Sequence, residues 1–189
     1  VAAGRLSYVL GMQGACHNID TACSSALVAA HSAATMVRDG ECANALSLAV
    51  NLMLLPLVQL FIAIAGITST DGACKFLDVR ANGYVRSEGV GAMLLAPERG
   101  VESLRGSAVR SDGKSASLTA PNGEAQVGLL RAAMLLGALS PAEVQTIECH
   151  GTGTALGDPI ETRALCNVMM AGDKEIVLGG VKANVGHAE

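Results

Sequence analysis

An α/β fold is what the sequence predicts, and three observations carry the prediction. Short apolar runs alternate with stretches whose apolar residues recur every three or four positions, the pattern of strands interleaved with helices. Hydrophobic residues make up 50% of the 189, yet there are only two Phe, two Tyr and no Trp. A core built from Ala, Val, Leu, Ile and Met suits closely packed helices and sheets better than a β-sandwich. Gly-bearing acidic turns, "RDGE" (38–41) and "STDGA" (69–73), punctuate a sequence with no visible linker, repeat or low-complexity tract. The length is that of one ordinary domain.

The elements follow in order. "HNID" (17–20) has a strand reading, and "TACSS" then turns the chain. From Ser24 to Arg38 the apolar positions Leu27, Ala30, Ala34 and Val37 keep helical spacing, and Gly40 supplies a left-handed close. "ALSLAV" (45–50) reads as a buried strand. In "GYVRSEGVGAMLLAP" (83–97) a Gly-rich turn leads into an apolar strand over 90–96, stopped by Pro97. "VGLLRAAMLLGAL" (127–139) is an amphipathic helix, and Ser140 is placed to cap another helix opening at Pro141. "TIECHGTGT" is a strand running into a Gly-rich loop, and 158–169 is a helix with Asp158 at its cap and Pro159 at its first position. "EIVLGGVKANVGH" closes the series with a strand and a loop.

One stretch pulls against a purely globular reading. No side chain between Cys42 and Thr70 is charged, and residues 45–67 are numerous enough to span a bilayer. Asn51, Pro56 and Gln59 near the centre are costly or disruptive in a lipid-facing helix, and no Lys or Arg flanks either end closely. The preferred expectation is a buried strand, a turn at Pro56 and a second apolar segment packed inside the protein.

Charge and cysteine usage narrow the function classes. A formal net charge of −4 with dispersed Lys and Arg offers no basic stripe for nucleic acid. The six cysteines (16, 23, 42, 74, 149 and 166) form no CxxC pair and no tight disulfide framework. With no signal peptide at its start, the sequence is expected in the cytoplasm, or in a plastid if a transit peptide lies upstream. Both ends read as interrupted pattern, so a fragment of a larger gene product is expected.

Cys23 is placed where a strand reading meets a helix N-terminus. Unpaired backbone N–H groups and the helix dipole there favour a thiolate and can donate to an oxyanion. The bland alternative is a small buried cysteine, inert like many. His150 ends an apolar strand directly before "GTGT", whose glycines would let a ligand approach the backbone; His187 ends "VLGGVKANVGH" in a similar setting. Either histidine alone reads as structural. With Cys23 they form a constellation that His17 and His31, which lack such settings, do not join. "AVRSDGKS" (108–115) lacks the first glycine of a phosphate-binding loop, and Cys16-His17 and Cys149-His150 have no second ligand pair at zinc spacing. No metal site is expected.

Taken together, "DTACSSALVAAH", "DVRANGYVRSEGVGAMLL", "LRGSAVRSDGKSASLTAPNG", "ECHGTGTALGDPIE" and "GGVKANVGH" resemble the β-ketoacyl synthase domain of modular-type polyketide synthases, over almost the whole chain. The resemblance implies a thiolase-like fold of α-β-α-β-α layers, here the end of the first half and the start of the second. Residues 1–98 would hold the nucleophile cysteine, and 99–189 the connecting region and the start of the histidine half. It implies decarboxylative Claisen condensation of a malonyl-type extender with a Cys-bound acyl thioester. Cys23 matches the acylated nucleophile, and His150 and His187 the two catalytic histidines. Lys182 and Glu189 match supporting charged positions, and Thr152 and Thr154 match contacts to phosphopantetheine. No cofactor is implied in the domain itself, because substrates ride on the phosphopantetheine arm of an acyl carrier protein. That carrier, other synthase domains and a second copy of the chain are the implied partners.

Some positions depart from the family pattern. Leu48 and Ala49 stand where a Gly pair is usual, Cys149 replaces a small alanine, and 52–64 is unusually apolar. A Gly-rich loop that completes the family's oxyanion hole is not in this sequence. A fatty-acid or polyunsaturated-fatty-acid ketosynthase is the nearest rival, and a non-condensing carrier-protein-binding domain the rival of another class.

Overall fold

The computed structural model describes residues 1–97, 100, 102–170 and 175–189, and these cluster into two compact units. The first comprises Val1–Asn51, Gly89–Leu104 and Glu189; the second comprises Leu52–Glu88 and Arg105–Ala188.

In the first unit, helices α1 (Ala2–Leu10) and α2 (Ser25–Arg38) accompany strands β1 (Ala45–Asn51) and β2 (Gly89–Leu95). The strands pair antiparallel, from Ala45 opposite Leu95 to Asn51 opposite Gly89, and α2 packs against both. Gly40 takes the left-handed conformation expected of it, with φ 77°. The strand reading of "HNID" does not hold, since only an isolated bridge between Thr21 and Cys23 forms nearby. Polar side chains take the local backbone donors instead: Asn18 accepts from Ala3 N–H and Asp20 from Ala22 N–H. β1 is also less buried than its composition predicts. Its residues alternate, leaving Leu48 39% and Val50 66% exposed on one face.

The second unit opens with α3 (Pro56–Ile64), and here too the expectation is corrected. Pro56 begins a helix rather than a turn, as its fixed φ and missing N–H allow at a first helical position. None of the helix is buried; Phe61 is 66% and Ile64 73% exposed. Among the described residues no helix is long and apolar enough to cross a membrane, and nine residues rise only about 14 Å.

Helix α4 runs from Gly123 to Leu136, starting four residues before its apolar period because Asn122 caps it. The Asn122 side chain accepts from Glu124 N–H at 3.1 Å and Ala125 N–H at 3.2 Å. Beyond it, Ser140 and Pro141 open only a 3-10 turn, with the Glu143 carboxylate accepting from both the N–H and the hydroxyl of Ser140. β3 (Thr146–Glu148) pairs in parallel with β4 (Val177–Gly179). Between them lies α5 (Gly157–Met169), packed on α4, with Val127, Ala164, Leu165 and Met169 buried. A short helix, α6 (Lys182–Val185), follows β4 where the sequence predicts a loop. Asp158 lies inside the first turn of α5 rather than at its cap, a difference with consequences for the site.

Candidate active site

Cys23 stands two residues before α2 on an exposed elbow. Ala22 has φ 54°, a left-handed conformation that costs a non-glycine residue about 1–2 kcal/mol. Neighbouring hydroxyls hold the bend. Ser25 Oγ donates to Ala22 O at 2.7 Å and accepts from Thr21 N–H at 2.9 Å, while Ser24 Oγ donates to Thr21 O at 2.9 Å. The serines of "TACSS" therefore act as backbone clamps, and the cysteine is turned out at the start of a 14-residue helix.

The histidines belong to the second unit, where the fold brings them together. Their ring centroids lie 5.6 Å apart at 85°, edge to face. His187 is only 3% exposed. Its backbone pairs with the segment before β2: His187 N–H donates to Val85 O at 2.8 Å, and Ser87 N–H donates to His187 O at 2.9 Å. Tyr84 adds a second edge-to-face contact at 5.0 Å. His150 leaves β3 on a loop clamped from behind by Glu161 of α5. That carboxylate accepts from His150 N–H at 2.5 Å and Gly151 N–H at 3.0 Å.

Asp158 clamps the rest of the loop. Only 3% exposed, it accepts from Gly153 N–H at 3.2 Å, Thr154 N–H at 3.3 Å and Leu77 N–H at 3.1 Å. Residue types alone give Asp158 a capping role and assign nothing to Glu161. Their signal is nonetheless present: two carboxylates three residues apart share a helix face, and this face looks onto the Gly-rich loop. Thr152 is buried, its hydroxyl 3.4 Å from that of Thr154, which also accepts from Gly157 N–H.

The loop glycines leave room for neighbouring protein atoms. Gly151 and Gly153 have φ 52° and 71°. A Cβ on Gly151 would come within 2.9 Å of the Phe76 ring, and one on Gly153 within 2.5 Å of Lys75 N.

Electrostatically, the site favours the neutral form of His150, although the residue as a whole is exposed. Desolvation of its ring lowers its pKa, the Lys182 charge lowers it further, and Glu161 and Asp158 oppose both. Cys149 beside it is buried, and burial followed by the Glu161, Glu148 and Asp158 charges pushes its thiol up to about 11. It is thus a protonated core residue at neutral pH rather than a second nucleophile. Lys182 is half-buried at the start of α6 in the second unit, and Glu189 falls with the first.

Two family models account for this arrangement: "Beta-ketoacyl synthase, N-terminal domain" matches residues 1–100, and "Beta-ketoacyl synthase, C-terminal domain" matches residues 102–189. The chain belongs to the β-ketoacyl synthase family. It is 43% identical over 200 residues to one of the phenolphthiocerol/phthiocerol polyketide synthase proteins of Mycobacterium tuberculosis, covering 100% of this chain and 11% of that one. To another protein of the same synthase it is 44% identical over 198 residues, covering 100% of this chain and 9% of the relative. Among solved structures, the oxazolomycin ketosynthase domain of Streptomyces albus matches with a TM-score of 0.94 and 38% identity, over 98% of this chain and 34% of that one. The ketosynthase from module 6 of the bacillaene synthase of Bacillus subtilis gives a TM-score of 0.93 at 38% identity, over 99% and 36%. This β-ketoacyl synthase chain therefore has the α/β, thiolase-like fold implied by its motifs. It spans about a tenth of its curated relatives and about a third of the solved chains.

Proposed function

We propose that this chain carries the nucleophile and the two histidines of a condensing enzyme that lengthens a polyketide-type acyl chain. The observation that carries the reading is the His150–His187 pair, two imidazoles 5.6 Å apart at the ends of separately clamped loops. A simple thiol nucleophile needs no such pair.

The chemistry asks three things of these residues. The Cys23 thiolate takes the growing acyl group as a thioester, releasing the thiol of its carrier. A malonyl-type thioester then loses CO2, and the electron pair of the broken C–C bond moves onto the thioester oxygen as an enolate. Imidazole N–H groups of His150 and His187 donate to that oxygen, and losing one such donor costs about 3–4 kcal/mol in comparable oxyanion sites. Finally the enolate carbon attacks the Cys23 thioester, a C–C bond forms, and the cysteine leaves as thiolate. The carrier thioester is left two carbons longer with a β-keto group.

Lys182 and Glu189 act in this reading as charges that set the state of the histidines, and Thr152 and Thr154 contact the phosphopantetheine arm. The domain needs no resident cofactor. Its partners are an acyl carrier protein, neighbouring synthase domains and a second copy of the chain, in the cytoplasm. The similarity to phenolphthiocerol/phthiocerol polyketide synthase proteins favours polyketide over fatty-acid substrates.

The test is thiol trapping in the complete natural chain. Cerulenin is expected to modify Cys23 ahead of the other five cysteines, and Cys23→Ala is expected to abolish condensation. Condensation surviving in the alanine variant overturns the reading. Carrier-protein binding with neither acyl transfer nor decarboxylation would establish the non-condensing alternative.

A further inference from the structure

We infer that Glu148 is a positioning residue, whose carboxylate fixes the segment bearing Lys182 and His187 against the strand that leads to His150. The inference rests on the condensing reading above and adds a group that its chemistry does not name.

Glu148 is the last residue of β3, two positions before His150. One of its oxygens accepts from Val181 N–H at 2.6 Å, across 33 residues of sequence. Val181 is the cap position of α6, directly before Lys182. The first turn of a helix presents backbone donors with no partner inside the helix, and a carboxylate is the strongest side-chain acceptor for one of them. Dependence on such an anchor is greatest in a helix of four residues, which is far below the length at which a helix sustains itself.

Two glycines show that the neighbouring backbone accommodates this bridge. Gly179 faces Glu148 in the β3–β4 register, and a Cβ there would overlap the other carboxylate oxygen. Gly180, next in line, would with a Cβ run into the Phe76 ring, the same ring that excludes one from Gly151. The two histidine loops thus close on one aromatic side chain and are tied by one carboxylate. Cys149 N–H donating to Gly179 O at 2.9 Å completes the junction. His187 has its own backbone pairing to residues 85–87. The weaker link is Lys182, and Glu148 holds the residue beside it.

Removing the carboxylate leaves Val181 N–H without this acceptor and frees the start of α6. Displacements of about 1 Å in a catalytic array cost on the order of 10²-fold in rate. In the complete chain, Glu148→Ala is expected to lower the kcat for malonyl-thioester decarboxylation about 10- to 100-fold. Cys23 acylation and the KM for the extender should stay near wild type. Glu148→Gln should recover most of the rate, because an amide oxygen can accept the same N–H. Gly179→Ala attacks the contact from the other side and is expected to reproduce the Glu148→Ala loss. It also carries the test if the glutamate variant does not fold.

Decarboxylation at the wild-type rate in both Glu148→Ala and Gly179→Ala overturns the inference. So does an equal loss of acylation and decarboxylation, which would mark a general structural role, or a Gln variant as slow as Ala. Absence of decarboxylation in the wild-type chain would instead sink the condensing reading, and this inference with it.

Discussion

At His150, loss of solvent around the ring and, next, the Lys182 charge both favour the neutral imidazole. That is the form able to donate one N–H without carrying a full charge into the site. Because its pKa is depressed, the histidine stays neutral as pH falls through the ordinary imidazole value of about 6.5, and protonates only below it. The acid limb of decarboxylation should therefore lie lower than a free imidazole would place it. Lys182→Met removes one of the two lowering causes and leaves the pull of Glu161 and Asp158 in the opposite direction. The expected outcome is an acid limb displaced to higher pH, with a reduced rate in mildly acidic buffer and a plateau approached at alkaline pH. The pH dependence of kcat/KM for decarboxylation, which reports the free enzyme, checks it. A limb that stays put or moves to lower pH counts against Lys182 as the charge acting on His150.

Between elements, the decisive contact is Asp158, a carboxylate of α5 that ties the His150 loop and Leu77 through three backbone N–H groups while itself 3% exposed. Asp158→Ala leaves those donors without their acceptor. It is expected to destabilise the complete chain by about 1.5–3 kcal/mol, seen as a lower urea midpoint with an unchanged slope. An unaltered midpoint would mean that the loop is held elsewhere. Much of this architecture is legible in the sequence. The period of α2, the 158–169 helix and the β1 and β2 runs all stand close to where residue types place them. What escapes is long-range. Asn122 sets the start of α4 through a side-chain cap that no apolar period records, and Pro56, read as a turn, opens a helix. The freedom of Gly151 and Gly153 is legible, but not its use, because Phe76 and Lys75 arrive from far earlier in the chain.

For the molecule as a whole, surface area carries the clearest consequence. Each unit exposes side chains that ordinarily drive folding: Phe61 and Ile64 on α3 of the second unit, Val90 76% and Leu94 71% exposed on β2 of the first. Among the described residues β1 and β2 pair only with each other, which leaves a strand edge on each able to accept another chain. An exposed apolar face marks either a covered interface or an aggregation hazard. The chain spans 34% and 36% of the solved ketosynthase chains, and a covered interface is the state predicted for these faces. The 1–189 polypeptide prepared alone should accordingly self-associate at micromolar concentration and brighten the apolar dye ANS, while the complete natural chain should do neither to the same degree. Phe61→Lys combined with Ile64→Glu should reduce both signals in the isolated polypeptide, because the two sites lie three apart on one helix face. Sedimentation velocity and dye titration decide the matter. A monodisperse, dye-silent 1–189 monomer would show that these faces are tolerated bare, and that neither is an interface.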